Sequence, residues 1–167
     1  MVFRVAGGTG GGGGFVSGGY GMFVSTANQT NPVASTANAV LLDTQIDGSS
    51  GVTNNNGLLT FTTAGSWQIM FELAFTSTAG ANPVISQWLV KNGSNVANTA
   101  QDFQLLGGAN TVQMSTCVFL VSALVNDTVQ VYWSTSDTRV SLAYQGTLTT
   151  PTRPASPSAI VFVNRVG

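Results

Sequence analysis

Apolar and polar residues alternate along one central segment of the chain. Between residues 67 and 75 every second residue is large and apolar, and the residues between them are Gln68, Met70, Glu72 and Ala74. A period of two places successive side chains on opposite faces, so this segment predicts a β-strand with one face against a core. The predicted core face comprises Trp67, Ile69, Phe71, Leu73 and Phe75.

The other apolar segments are short and are separated by turn residues. Strands are predicted over residues 58–63, 84–90, 112–125, 128–134, 140–144 and 159–166. Turns are predicted at Asn92-Gly93, a pair that favours tight hairpins, and at Asn126-Asp127. No long segment combines a helical period with capping residues. The pattern therefore predicts an all-β sandwich or barrel, with residues 43–51 as a polar loop.

Two of the predicted strands, residues 115–125 and 159–166, are apolar on both faces. An antiparallel strand with one wet face should alternate, so a continuous apolar run indicates that both faces are covered. Either another subunit or a loop of the same chain could cover the second face, and we favour another subunit. The predicted interface of a trimer comprises Met70, Glu72, Val118, Leu120, Val161 and Val163.

Glu72 is the one charged residue in this predicted interface. If three copies meet on an axis, the three carboxylates need partners, water or a cation. The alternative is an ordinary exposed carboxylate on a strand. Trp67 and Trp88 are both predicted to be core residues, although exposed aromatic side chains could also stack on sugars.

The first 22 residues have a different composition from the rest. Residues 7–14 are glycine except for Thr9, and glycine has a large entropic cost on folding and no side chain to bury. Apolar residues nevertheless occur among the glycines, which favours an arm that becomes ordered on a partner. Residues 1–22 are therefore predicted to be a docking arm, and residues 23–167 a single globular domain. The docking residues of the arm are predicted to be Val2, Phe3, Arg4, Val5, Phe15, Val16 and Tyr20.

Composition narrows the possible partners. Charged residues make up 7% of the 167 residues and the net charge is −1, without a basic cluster, so nucleic acid is not an expected partner. No apolar run is long enough to span a membrane, and the N-terminus lacks the apolar region of a signal peptide, so synthesis in the cytoplasm is expected. The single cysteine, Cys117, is predicted to be a small core residue.

Catalytic groups are scarce. The chain has no histidine, so neither a Ser-His nor a Cys-His nucleophile can form, and no enzyme activity, cofactor or metal is predicted. Asp43 and Asp47 could form a carboxylate pair, but a polar loop is the simpler interpretation. Residues 151–157 contain three prolines and are predicted to be an extended loop in which Arg153 is a candidate contact.

Four segments resemble C1q/TNF-like jelly-roll domains. They are residues 57–69 (GLLTFTTAGSWQI, with Trp67 in place of the usual tyrosine), 88–96 (WLVKNGSNV), 120–131 (LVSALVNDTVQV) and 158–165 (SAIVFVNR). They follow one another in the order of that family. The resemblance implies a ten-stranded jelly-roll β-sandwich that assembles as a tight homotrimer.

The glycine-rich arm and the low charge differ from secreted animal members of that family and are more similar to bacteriophage structural proteins. This similarity implies a trimeric capsid decoration (cement) protein that docks on the major capsid (coat) protein through its arm. A receptor-binding tip or head-fibre domain that binds a glycan or a host receptor is the alternative. On either hypothesis the protein would be made in the host cytoplasm and reside in the virion.

Overall fold

Two antiparallel β-sheets packed face to face form the body of the protein in the computed structural model, which describes residues 18–80 and 82–167. Because alternate side chains of a strand point to opposite faces, the long strands of both sheets each contribute one row of side chains to the space between the sheets. The strands are, in chain order, β1 Tyr20–Ser25, β2 Gln29–Thr30, β3 Asn38–Ala39, β4 Thr44–Ser50, β5 Val52–Asn55, β6 Leu58–Phe61, β7 Gly65–Ser77, β8 Val84–Lys91, β9 Ser94–Asn95, β10 Gln101–Gln104, β11 Val112–Ala123, β12 Thr128–Thr135, β13 Val140–Leu142, β14 Leu148–Thr149, β15 Thr152–Arg153 and β16 Ala159–Arg165.

The first sheet is built around β7, the longest strand, with 13 residues. One edge of β7 pairs with β11, and the other pairs with β16 and then with β13. Beyond β16 the sheet continues through β1 to β4, and β2 pairs with β13. Within the described residues β11 pairs with β7 alone, so it is an edge strand.

The second sheet has the strand order β10-β8-β12-β6-β5. In addition, β3 pairs with β12 and β9 pairs with β8. The chain passes repeatedly between the sheets, since β7 and β11 belong to the first sheet whereas β8 and β12 belong to the second. The pair β14 and β15 forms a separate short hairpin.

The core lies between the two sheets. All five residues of the predicted core face of β7 are fully buried, which confirms that prediction. Aromatic rings pack there at close range: the ring centroids of Phe61 and Trp67 are 4.8 Å apart, and those of Phe75 and Trp133 are 5.5 Å apart. Cys117 is also buried, as predicted.

The two predicted turns are present and are joined to each other. Asn92 and Gly93 have φ angles of 51° and 77°, which suit the tight hairpin between β8 and β9. Lys91 Nζ lies 2.7 Å from the Asp127 carboxylate, and Asn92 Nδ2 donates a hydrogen bond to the same carboxylate. The hydrogen bond from Lys91, with those from the Leu124 amide and Asn92, lowers the pKa of Asp127 to about 2.

Three predictions of local structure were wrong. Residues 44–50 form strand β4 rather than a polar loop, and Trp88 lies partly exposed on the outer face of the second sheet. Strand β1 begins at Tyr20, so residues 20–22 belong to the first sheet and not to an arm. The predicted boundary after residue 22 therefore moves to the start of β1, and residues 1–17 of the predicted arm lie outside the described residues.

Candidate assembly surface on the first sheet

The outer face of the first sheet carries a row of apolar side chains that crosses four strands. The register places Met22 of β1 opposite Phe162 of β16, Phe162 opposite Met70 of β7, and Met70 opposite Val118 of β11. Residues directly opposite each other in a sheet have their side chains on the same face. These four residues therefore form one continuous apolar row.

The rows on either side contain both apolar and polar residues, and Val24 in one of them is buried in the single chain. One row contains Val24, Ile160, Glu72 and Thr116, and the other contains Tyr20, Asn164, Gln68 and Leu120. We call these three rows together the outer apolar face. The most exposed residues of the outer apolar face lie on β11, where Val118 is 49% exposed and Leu120 is 72% exposed. Met22, Met70 and Phe162 are only partly exposed in the single chain. A large exposed apolar area on a folded domain is typical of an interaction surface.

Four of the six residues predicted for a trimer interface lie on this face: Met70, Glu72, Val118 and Leu120. Their contact with another subunit stays a prediction.

Val161 and Val163 were assigned to the wrong face. Both are fully buried, because the register places Val161 opposite Phe71 and Val163 opposite Ile69, both core residues. Their neighbours Ile160 and Phe162 occupy the outer positions instead. Both sets of side chains are apolar, so alternation alone could not show which set faces the core.

Glu72 is the acidic group of the outer apolar face. It lies between Ile160 and Thr116 in its row, and Thr116 Oγ1 donates a hydrogen bond of 3.4 Å to Glu72 Oε2. This long bond leaves the carboxylate with capacity for further donors. A subunit covering the face would have to supply them or leave the charge to water.

The segment just before β1 lies beside the C-terminal end of β16. The Arg165 amide donates a hydrogen bond to the Gly19 carbonyl, and the Ser66 amide donates to the Gly167 carbonyl. A Cβ atom on Gly19 would lie 2.2 Å from the Trp67 ring, so only glycine fits there. Gly19 therefore lies at the same end of the body as Gly167. The predicted docking residues Val2, Phe3, Arg4, Val5, Phe15 and Val16 lie outside the described residues. Tyr20 is a strand residue, 45% exposed.

The remaining candidate residues have local structural roles. Asp43 accepts hydrogen bonds from the Thr26 amide and from the Thr26 and Thr44 hydroxyls. Partial burial acts to raise the pKa of Asp43, but these hydrogen bonds outweigh it, and the pKa lies below its ordinary value. Asp47 lies within β4 at a φ of 52°. Arg153 donates hydrogen bonds to the Pro154 carbonyl and the Gln145 side chain.

Within residues 18–80 and 82–167, no three His, Cys, Asp or Glu side chains lie close enough together to hold a metal ion. In the same ranges no helix is long and apolar enough to cross a membrane.

No protein-family model matches the chain, and no curated protein matches it. Solved structures do match. The crystal structure of murine APRIL at pH 8.0 superposes with a TM-score of 0.55 at 10% identity, over 88% of this chain and 98% of that one. The globular domain of the zebrafish complement 1qA protein gives a TM-score of 0.53 at 11% identity, over 89% of this chain and 97% of that one.

These likenesses define the class of fold. The protein is an all-β jelly-roll sandwich of the C1q/TNF-like kind, which confirms the fold predicted from the four sequence segments. At about one residue in ten identical, the likeness concerns the fold alone.

Proposed function

We propose that the protein is a non-enzymatic structural protein that assembles as a homotrimer through its outer apolar face. The observation that carries this proposal is the apolar row Met22, Phe162, Met70 and Val118, which is continuous across four strands. In the single chain Val118 is exposed and the other three are partly exposed. Burying such a row removes apolar surface from water, which is the main favourable term in association. The C1q/TNF-like fold adds support, because the resemblance implies a trimer.

The edge position of β11 indicates how copies meet. Its exposed residues Val118 and Leu120 project from the rim of the first sheet, whereas Met22 and Phe162 lie further inside it. Packing the β11 edge of one copy on the inner part of the next copy's face joins two different surfaces. Such head-to-tail contacts form a closed ring when the rotation between copies allows it. The same packing covers the unpaired backbone groups of an exposed edge strand.

We propose that the protein acts on a bacteriophage capsid. There the trimer decorates the shell and docks on the coat protein through residues 1–17. Support comes from the low charge, from the apolar residues among the glycines, and from the entry of the chain beside Gly167 at one end of the body. Three arms that leave a trimer together give avidity that exceeds a single contact by ~10²–10⁴ when the geometry permits.

A receptor-binding tip of a fibre is the second candidate. The partly exposed aromatic pair of Trp88 and Tyr132 on the second sheet favours it, because rings on an outer face can contact a ligand. Immunogold labelling of virions separates the two candidates, since label over the whole shell supports decoration and label at fibre ends supports the tip. Absence of label from virions would contradict both.

A charge on the outer apolar face tests the trimer. We expect Val118→Asp to convert the trimer into a folded monomer, because its side chain is exposed in the single chain and covered in the trimer. The matched control is Leu148→Asp in the β14–β15 hairpin, which is 45% exposed against 49% for Val118 and should remain trimeric. Light scattering measures the mass, and circular dichroism checks the fold. A wild-type protein that is monomeric at micromolar concentration would contradict the proposal.

A further inference from the structure

Two aromatic side chains stand side by side on the outer face of the second sheet. Trp88 of β8 and Tyr132 of β12 are opposite each other, with ring centroids 6.0 Å apart and planes inclined by 30°. Both are partly exposed, whereas Trp67 and Trp133 are fully buried. Trp88 Nε1 donates a hydrogen bond of 2.9 Å to Asn95 Oδ1, which fixes the orientation of the indole.

Small residues lie on one side of this pair. Ala39 lies beside Tyr132, and Ser86 and Ser134 face each other in the adjacent row. The row on the other side of the pair contains Val90 and Gln130.

Polar groups lie one row away. Asp102 of β10 is opposite Ser86, and Gln130 of β12 is opposite Val90, on either side of the aromatic pair. Asp102 is exposed and Gln130 partly exposed. The aromatic surface is thus flanked by a carboxylate and an amide, which accept and donate hydrogen bonds.

We infer that this face binds a neutral carbohydrate. A pyranose ring has an apolar face of C–H groups and hydroxyls at its rim, so the ring stacks on Trp88 and Tyr132 while the hydroxyls bond to Asp102 and Gln130. Binding sites commonly combine aromatic surface with a few placed polar groups in this way. The ligand is a hexose or N-acetylhexosamine oligosaccharide.

Charge decides between neutral and acidic sugars. Asp102 is the charged side chain of these rows, and it would repel a carboxylate or sulfate. The one lysine of the sequence, Lys91 at the end of β8, is bound to Asp127 and to the Ser122 carbonyl. An acidic glycan therefore finds no available cation on this face among the described residues.

The three tryptophans allow a direct test in the wild-type protein. The probes are lactose, maltotriose, cellotriose and triacetylchitotriose, with sialyllactose as the acidic counterpart of lactose. In ¹H–¹⁵N spectra we expect at least one neutral probe to shift the indole signal of Trp88 and to saturate in the millimolar range, while the signals of buried Trp67 and Trp133 stay in place. Sialyllactose should bind no more tightly than lactose. The inference is overturned if no neutral probe shifts the Trp88 signal, or if all three signals shift together.

Variants locate the site. Trp88→Leu should abolish the binding, and Asp102→Ala, at an exposed position, should weaken it at least several-fold without changing the thermal midpoint. Tyr144→Ala, away from this face, is the control and should bind like the wild type. Unchanged binding by Asp102→Ala and by a folded Trp88→Leu would contradict the inference. This face lies on the opposite side of the sandwich from the outer apolar face. If the protein binds sugar as a monomer, the proposed trimer is refuted and the proposed sugar site stands.

Discussion

At the scale of single residues, the chain packs closely around Trp67. Its indole lies against Gly19 on one side and near Gly51 on another, and Phe61 packs on it within the core. The glycine at position 19 belongs to the segment that the sequence alone assigns to the arm. Gly19 has a packing role, because the absence of a side chain lets the chain just before β1 lie against the Trp67 ring.

A Gly19→Ala substitution tests this packing. The added methyl group would overlap the Trp67 ring, and such overpacking costs about 1–3 kcal/mol of unfolding free energy. Gly146→Ala is the control, because a Cβ at position 146 meets no atom within 4 Å. Urea denaturation should give a lower midpoint for Gly19→Ala and a nearly unchanged midpoint for Gly146→Ala. Equal midpoints would show that the ring moves away without cost.

The Lys91–Asp127 ion pair predicts a dependence of stability on pH. The pKa of Asp127 in the folded protein is about 2, below its ordinary value of 3.8. The stabilisation is therefore fully present above the ordinary pKa and is lost as the pH falls through about 2. Asp127→Asn should be less stable than the wild type at pH 7, and the two urea midpoints should converge toward pH 2. A difference that persists at pH 2 would show that the carboxylate charge is not its source.

At the scale of elements, β16 shows that the effect of a substitution depends on the face of the sheet on which the side chain lies. It presents Val161 and Val163 to the core and Ile160 and Phe162 to the outer apolar face. The same polar substitution should therefore have different consequences at adjacent positions.

We expect Val161→Asp to prevent folding, because an unpaired charge buried in the core costs several kcal/mol. Phe162→Asp should fold, since its side chain reaches the surface of the single chain, but it should not assemble. Circular dichroism and light scattering on both variants measure the two effects. A monomeric, folded Val161→Asp would contradict the assignment of faces.

At the scale of the whole molecule, the body and the N-terminal segment meet at β1. Deleting residues 1–17 leaves every described strand intact, so the truncated protein should keep the thermal midpoint and the trimeric mass of the full chain. Deleting residues 1–22 removes half of β1, which lies between β16 and β4, and should lower the midpoint. Differential scanning calorimetry compares the two.

The shorter deletion also tests docking. On the proposed function it should no longer bind capsids stripped of the protein, while the full chain restores decoration. Binding of the truncated trimer at full occupancy would mean that the body, and not residues 1–17, makes the contact.

Local pattern was sufficient for the strands that contact the core. The alternation in β7 identified its buried face, and the Asn92-Gly93 pair identified a hairpin, because both signals depend on residues adjacent in sequence. The order of four motifs along the chain then indicated the jelly roll. These features were determined by the sequence itself.

Other features depended on partners that are distant in sequence. Strand β4 is an edge strand whose residues are polar or small except for Ile46, and it is held by pairing with β1, so no periodicity marked it. Residues 20–22 join the sheet because β16 and β4 flank them, although their glycine-rich neighbourhood predicted an arm.

The faces of β16 depended on its register with β7, more than 80 residues earlier in the chain. The sequence by itself determined where the chain extends and which central strand faces the core, because side-chain period is local. Only the tertiary structure decided which apolar face of β16 points away from the core and which aromatic residues meet on the outer face of the second sheet. The reason is that pairing register is a property of strands brought together from distant parts of the chain.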